Sequence, residues 1–133
     1  MDIPADLRYS KEHEWVRTEG DVGTVGVTDY AQDQLGDIVY LDLPTVGASL
    51  GQGNKIGEIE SVKAVSDLYS PVTGEVVEVN QEAVDEPELI NSEPYGRGWL
   101  IKVRLGNADD LDALLSSEAY DELIVRETEE NTD

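Results

Sequence analysis

The chain has 133 residues, the size of one domain, and no cysteine, which excludes disulfide frameworks, thiolate metal sites and a cysteine nucleophile. Nine Lys+Arg against 30 Asp+Glu leave a formal charge of −21, a field that repels nucleic acid and anionic membranes. With 39% hydrophobic residues in strand-like runs this is a folded acidic domain, and its surface suits a salt-rich interior where counterions screen self-repulsion.

The opening Met1-Asp2-Ile3-Pro4-Ala5-Asp6 has neither the basic and apolar stretch of a secretion signal nor the Arg/Ser bias of a transit peptide. No run reaches the roughly 18 apolar residues of a membrane helix. A soluble, cytoplasmic product is expected. Alternating or β-branched runs then predict strands at Glu14–Thr18, Val22–Thr28, Ile38–Leu43, Ile56–Ser61, Asp67–Val72, Glu75–Val79 and Trp99–Leu105, an all-β pattern. Glu19-Gly20-Asp21 predicts a hairpin turn, since glycine supplies positive φ. Between the strands, Thr28 can cap a short helix over Asp29–Leu35 that Gly36 stops. Near the end, Asn107 with Asp109 and Asp110 opens a helix carrying Leu111, Leu114 and Leu115, and Tyr120, Leu123 and Ile124 continue its apolar stripe. Glu127–Asp133 reads as a charged, frayed tail.

Only four lysines occur, Lys11, Lys55, Lys63 and Lys102. If Lys63-Ala64 forms a two-residue loop, Val62 faces Val65, Ser61 faces Ser66, Glu60 faces Asp67 and Ile59 faces Leu68. That register pairs apolar with apolar and polar with polar, and puts Lys63 at the apex of a hairpin on a type I turn. On composition alone it is an ordinary solvated lysine. His13, the only histidine, has no nucleophile or second ligand beside it and is read neither as a base nor as a metal ligand.

Glu60-Ser61-Val62-Lys63-Ala64, preceded by Gly47, Leu50, Gly53, Ile56, Gly57 and Ile59 and followed by the Ser70-Pro71-Val72-Thr73-Gly74 turn, resembles the attachment hairpin of lipoyl and biotinyl carrier domains. Biotinyl domains usually flank their lysine with methionines, and the only methionine here is Met1, so the resemblance favours lipoate. His13-Glu14-Trp15-Val16, Gly26-Val27-Thr28-Asp29-Tyr30-Ala31-Gln32, Leu35-Gly36-Asp37-Ile38-Val39 and Leu89-Ile90-Asn91-Ser92-Glu93-Pro94-Tyr95-Gly96-Arg97-Gly98-Trp99 are similar to the glycine cleavage H protein family, from about Leu7 to Glu127. Lipoyl domains of the 2-oxo acid dehydrogenases are shorter and lack these flanking pieces.

The resemblance implies a mostly β fold, a lipoyl/biotinyl-type barrel-sandwich hybrid of short antiparallel strands with short helices and a C-terminal helix. A single domain over 1–126 would precede an acidic flexible tail at 127–133. It implies a non-catalytic carrier with lipoate as N6-lipoyllysine at Lys63, within an attachment motif of Glu60, Ser61, Val62 and Ala64 served by a lipoate-attaching enzyme. Such a carrier takes an aminomethyl group from a pyridoxal-phosphate glycine decarboxylase (P protein) to a folate-dependent aminomethyltransferase (T protein), and electrons to a dihydrolipoyl dehydrogenase (L protein). The family's loaded arm folds into a cleft, where Glu14 and Asp67 match its acidic positions; Glu12 replaces a residue that is often small and polar in relatives. A monomer from a halophilic archaeon is expected. A lipoate relay that donates lipoyl groups to other enzymes, or an unmodified binding module, are the other uses open to such a chain.

Overall fold

A computed structural model describes residues 1–130. In chain order these form β1 (Arg8–Tyr9), β2 (Glu14–Glu19), β3 (Val22–Val27), α1 (Asp29–Leu35), β4 (Ile38–Asp42), β5 (Ser49–Leu50), β6 (Lys55–Ser61), β7 (Val65–Tyr69) and β8 (Gly74–Val79). There follow α2 (Gln81–Asp85), α3 (Glu88–Ser92), β9 (Ile101–Leu105), a 3-10 helix (Ala108–Ala113) and α4 (Ser117–Glu130). A six-stranded sheet runs β1-β2-β3-β9-β8-β5 and a three-stranded sheet runs β4-β6-β7, with antiparallel pairing throughout. This is the expected fold class.

The main core lies between the sheets, where Val16, Val25, Val76, Ile101 and Val103 of the larger one meet Ile38, Leu41, Ile59 and Leu68 of the smaller. A second core forms on the outer side, where Leu7, Tyr9, Trp15 and Tyr30 pack against Tyr120 and Ile124 of α4. Successive strand residues point to opposite faces, so Trp15 and Val16 are both buried because β2 has a core on each side. Trp15 lies flat on Gly26, its cross-strand partner, and its indole N–H donates to the carbonyls of Val27 and Pro94, each at 3.0 Å.

The start of α1 follows from its cap: Thr28 Oγ1 accepts from Ala31 N at 3.1 Å, and Gly36 at φ +80° ends the helix by donating to Gln32 O. The Glu19-Gly20-Asp21 turn forms as expected, with Glu19 paired to Val22 and Gly20 at φ +61°. The C-terminal stripe is not one helix. Leu115 exchanges two backbone hydrogen bonds with Tyr9, of 2.9 and 2.7 Å, and this bridge to β1 interrupts the helix between Ala113 and Ser117. Nor does the helix end at Arg126; it continues through Glu130 because Glu127 is bonded to His13 and Thr128 to Tyr30. The remaining tail, 131–133, lies outside the described residues.

Candidate functional site

Lys63 is exposed at the tip of the β6–β7 hairpin, but the loop is wider than expected. Glu60 pairs with Val65, Ile59 with Ser66, Glu58 with Asp67 and Gly57 with Leu68, two residues away from the expected register, with a bulge between Lys55 and Gly57. Ser61 is the cause. Its buried hydroxyl oxygen accepts from Lys63 N at 3.2 Å and Ala64 N at 3.1 Å and its proton goes to Ala64 O, while Ser61 N also donates to Ala64 O at 2.8 Å. The loop therefore spans Ser61–Ala64 and needs neither glycine nor asparagine. Val62 and Val65 are 68% and 59% exposed, so the apolar pairing expected between them has nothing to bury. Ser61→Ala is expected to cost about 1 kcal/mol and to speed amide exchange at Lys63 and Ala64, measured by NMR, while distant amides keep their protection.

The base of the tip is clamped. Val62 N donates to Asp37 O at 3.0 Å, and Asn91 of α3 accepts from Ile38 N at 2.9 Å while donating to Gln32 Oε1 and Gly36 O. One amide side chain thus ties the end of α1 to the start of β4. Asn91 carries no sequence signal for this role beyond its polarity, and only the fold brings it under the hairpin. Lys63 leans back over this corner: a Cβ built on Gly36 would stand 3.5 Å from Lys63 Cε.

Beside the corner lies a cleft of about 250 Å³, walled by Tyr30, Ala31, Gln34 and Leu35 of α1, Ser66 of β7, and Glu12, His13 and Glu127. It offers an apolar wall next to a solvent-exposed primary amine, which fits an acyl arm of lipoate's kind attached at Lys63. Among the described residues no group of three or more His, Cys, Asp and Glu is arranged to hold a metal.

Of the two carboxyl groups assigned to the cleft, Asp67 is exposed and its Oδ1 lies 3.1 Å from Lys55 Nζ. Glu14 is buried, 3% exposed, taking Ser10 Oγ at 2.6 Å and Tyr69 N at 3.4 Å. Asp67 lies on β7 and Glu14 on β2, reaching β7 through Tyr69 N; neither lines the cleft, and the structure does not aim them at one point. Burial pushes the Glu14 carboxyl up to about 8, the Ser10 and Tyr69 hydrogen bonds pulling part of the way back. The folded chain thus keeps a proton that the unfolded chain releases near 4.5. The stability this contributes is full below that value and is lost as the pH rises through about 8. Glu14→Gln, neutral at every pH, should therefore gain on wild type as the pH rises from about 5 to about 9, read by urea melts across that range; parallel curves would contradict the assignment.

His13, the only histidine, sits at φ +72°, where a residue other than glycine is uncommon. Its ring packs against Tyr30 and Tyr120, its Nδ1 is 2.7 Å from Tyr120 Oη, and its Nε2 is 3.1 Å from Glu127 Oε2. Burial holds the imidazole below its ordinary pKa, against the opposing pull of Glu127 and Glu12. Sequence reading left Glu127 in the tail; its spacing of seven from Tyr120, on the same helical stripe, was the available signal.

The comparisons with known proteins agree with this architecture. A family model described as glycine cleavage H-protein matches residues 7–127. A glycine cleavage system H protein from Carboxydothermus hydrogenoformans is 53% identical over 127 residues, covering 96% of this chain and 98% of its own length. One from Symbiobacterium thermophilum is 58% identical over 119 residues, covering 90% of this chain and 93% of its own. The crystal structure of a glycine cleavage system H protein from Mycobacterium marinum superposes with a TM-score of 0.86 at 40% identity, covering 92% of this chain and 99% of its own. Matched nearly end to end in sequence and in fold, the chain belongs to the glycine cleavage H-protein family.

Proposed function

We propose that this chain is a non-catalytic carrier that bears lipoate in amide linkage on Lys63 Nζ and serves glycine catabolism. The observation that carries the reading is the exposed Lys63 amine on a tip whose backbone is fixed by Ser61, Asp37 and Asn91. A group that must visit several active sites needs a mobile arm on a rigid base. Bound lipoate supplies a disulfide that accepts the aminomethyl group left by glycine decarboxylation and afterwards returns electrons. The chain's own residues present, orient and shelter. Glu60, Ser61, Val62 and Ala64 shape the face offered to a lipoate-attaching enzyme, and the wall of α1 receives the arm's apolar stem. Asp67 offers charge to solvent beside Lys55, while Glu14 supports β7 from behind.

The partners in this reading are the P, T and L proteins, met one at a time by a monomeric, cytoplasmic carrier of one domain. Among the described residues no helix is long and apolar enough to cross a membrane. Reconstitution tests the function: purified P, T and L proteins should release carbon dioxide from glycine continuously only when the lipoylated chain is added, and turnover indifferent to its addition would refute the reading.

The charge of −21 supports a salt-rich setting such as the interior of a halophilic archaeon. The melting temperature is accordingly expected to climb between dilute buffer and molar salt; a flat response would remove that assignment.

A further inference from the structure

Val62, the residue before Lys63, is held by a backbone bond, its N–H on the carbonyl of Asp37 at 3.0 Å. Asp37 stands between two residues that one side chain grips: Asn91 Nδ2 donates to Gly36 O at 2.9 Å, and Asn91 Oδ1 accepts from Ile38 N at 2.9 Å. These contacts admit one orientation of the amide, because a carbonyl can only accept and a backbone N–H can only donate. Asn91 Nδ2 also donates to Gln32 Oε1 at 3.0 Å, which obliges Gln32 to turn its own Nε2 to Asp29 Oδ1, at 2.7 Å. Asp29 Oδ2 in turn accepts from Asp2 N at 3.0 Å. The backbone that carries Asn91 is itself fixed: α3 buries Leu89 and Ile90, and a Cβ built on Gly98 would stand 2.6 Å from Leu89 O. An amide with both donors spent, anchored outside the hairpin, thus sets where the Asp37 carbonyl points.

On that geometry we propose that Asn91 is a positioning residue for the modification of Lys63, aiming the lysine at the enzyme that acylates it by acting through Asp37 and Val62. The inference rests on the reading of Lys63 as the lipoyl site and adds to it a residue outside the attachment motif. Ser61 shapes the loop from within; Asn91 fixes its bearing on the rest of the fold. In the reaction the deprotonated Lys63 amine attacks the carbonyl carbon of an acyl anhydride or thioester. The amide C–N bond forms, the bond to the activating group breaks with its electron pair, and a proton passes to solvent. A misplacement of about 1 Å costs such a step on the order of 100-fold in rate. Val62 and Val65 are exposed, so packing does not hold the tip, and its direction follows the Asp37 corner. Aspartate in place of Asn91 would keep the acceptor for Ile38 N but has no donor, and would turn a carboxylate oxygen toward Gly36 O and Gln32 Oε1.

The test follows lipoate attachment against carrier concentration for wild type, Asn91→Asp and Asn91→Ala. Gly23→Ala, whose added Cβ meets side chains of the larger sheet, is the comparison. Each full chain is the substrate of a lipoate-attaching enzyme supplied with labelled lipoate, and exchange of the Val62 amide is followed by NMR. A loss of global stability lowers the folded fraction of this substrate and so raises KM while leaving kcat alone. An amine misaimed in the docked complex lowers kcat instead. A kcat about tenfold lower in both Asn91 variants, with faster exchange at Val62 and a wild-type kcat in Gly23→Ala, would support the inference. A wild-type kcat in the Asn91 variants, whatever their KM, or an equal fall of kcat in Gly23→Ala, would overturn it and leave the carrier reading standing. Absence of label from Lys63 in the wild type would overturn both.

Discussion

Replacing Lys63 by arginine is expected to abolish lipoate attachment and glycine-dependent turnover while leaving the fold intact. The side chain is exposed, so the substitution removes no buried packing, and arginine keeps the positive charge. It does remove the nucleophile. A guanidinium stays protonated well above neutral pH, so it has no lone pair to attack an activated acyl group. The loss is all or none, because none of the other lysines stands on the Ser61-organised loop: Lys55 is paired with Glu58 and Asp67, Lys102 lies over the Trp99 ring, and Lys11 precedes β2. The check is incubation with a lipoate-attaching enzyme and labelled lipoate, beside a thermal melt. Label retained by Lys63→Arg would move the attachment to another lysine.

Gly57→Ala is expected to be the most damaging small substitution in the hairpin. Gly57 sits at the bulge of β6, and a Cβ there would overlap the backbone carbonyl oxygen of Asp42 in β4. A side chain could rotate away, but a strand backbone cannot yield without opening the β4–β6 pairing that carries the tip. Overpacking of this kind costs about 1–3 kcal/mol, here at the upper end, which corresponds to a fall in melting temperature on the order of 10 °C. Gly23→Ala is the comparison. Its Cβ would stand 3.2 Å from Val16 Cγ1 and 3.3 Å from Leu105 Cδ2, side-chain atoms that can shift, so a drop less than half as large is expected. Equal drops in the two melts would show that β4 yields more readily than its pairing suggests.

Much of the fold was legible because its signals are local. Each expected strand forms, with shifted ends, and the Thr28 cap and Gly36 stop mark α1 as expected. Elements whose reason is tertiary were not legible. β1 and β5 span two residues each and exist through pairing with β2 and β8, and α2 and α3 span five each. The hairpin register is the instructive case. A slip of two residues leaves every side chain on the same face of the sheet, so alternation cannot distinguish the two pairings. The choice fell to the Ser61 hydroxyl, whose hydrogen bonds depend on a loop conformation that no pattern encodes.

The candidate site divides the same way. Lys63 and its neighbours were legible through resemblance, since one exposed lysine carries no signature of its own. Glu14 looked like one carboxylate among 30, and its burial follows from β2 having a core on both faces, a property of the assembled sheets. Asn91 and Glu127 lie 28 and 64 residues from Lys63 in sequence, and only folding brings the one to Gly36 and the other to the cleft along α1.

The central claim is that Lys63 carries lipoate, and it is tested most directly by intact mass and peptide mapping of the chain after expression in cells able to attach lipoate. One lipoyl amide on the peptide that contains Lys63, absent from Lys63→Arg, is the expected result. A chain that stays unmodified in a host that lipoylates a related carrier would contradict the account and leave a lipoyl-type fold acting as a binding module.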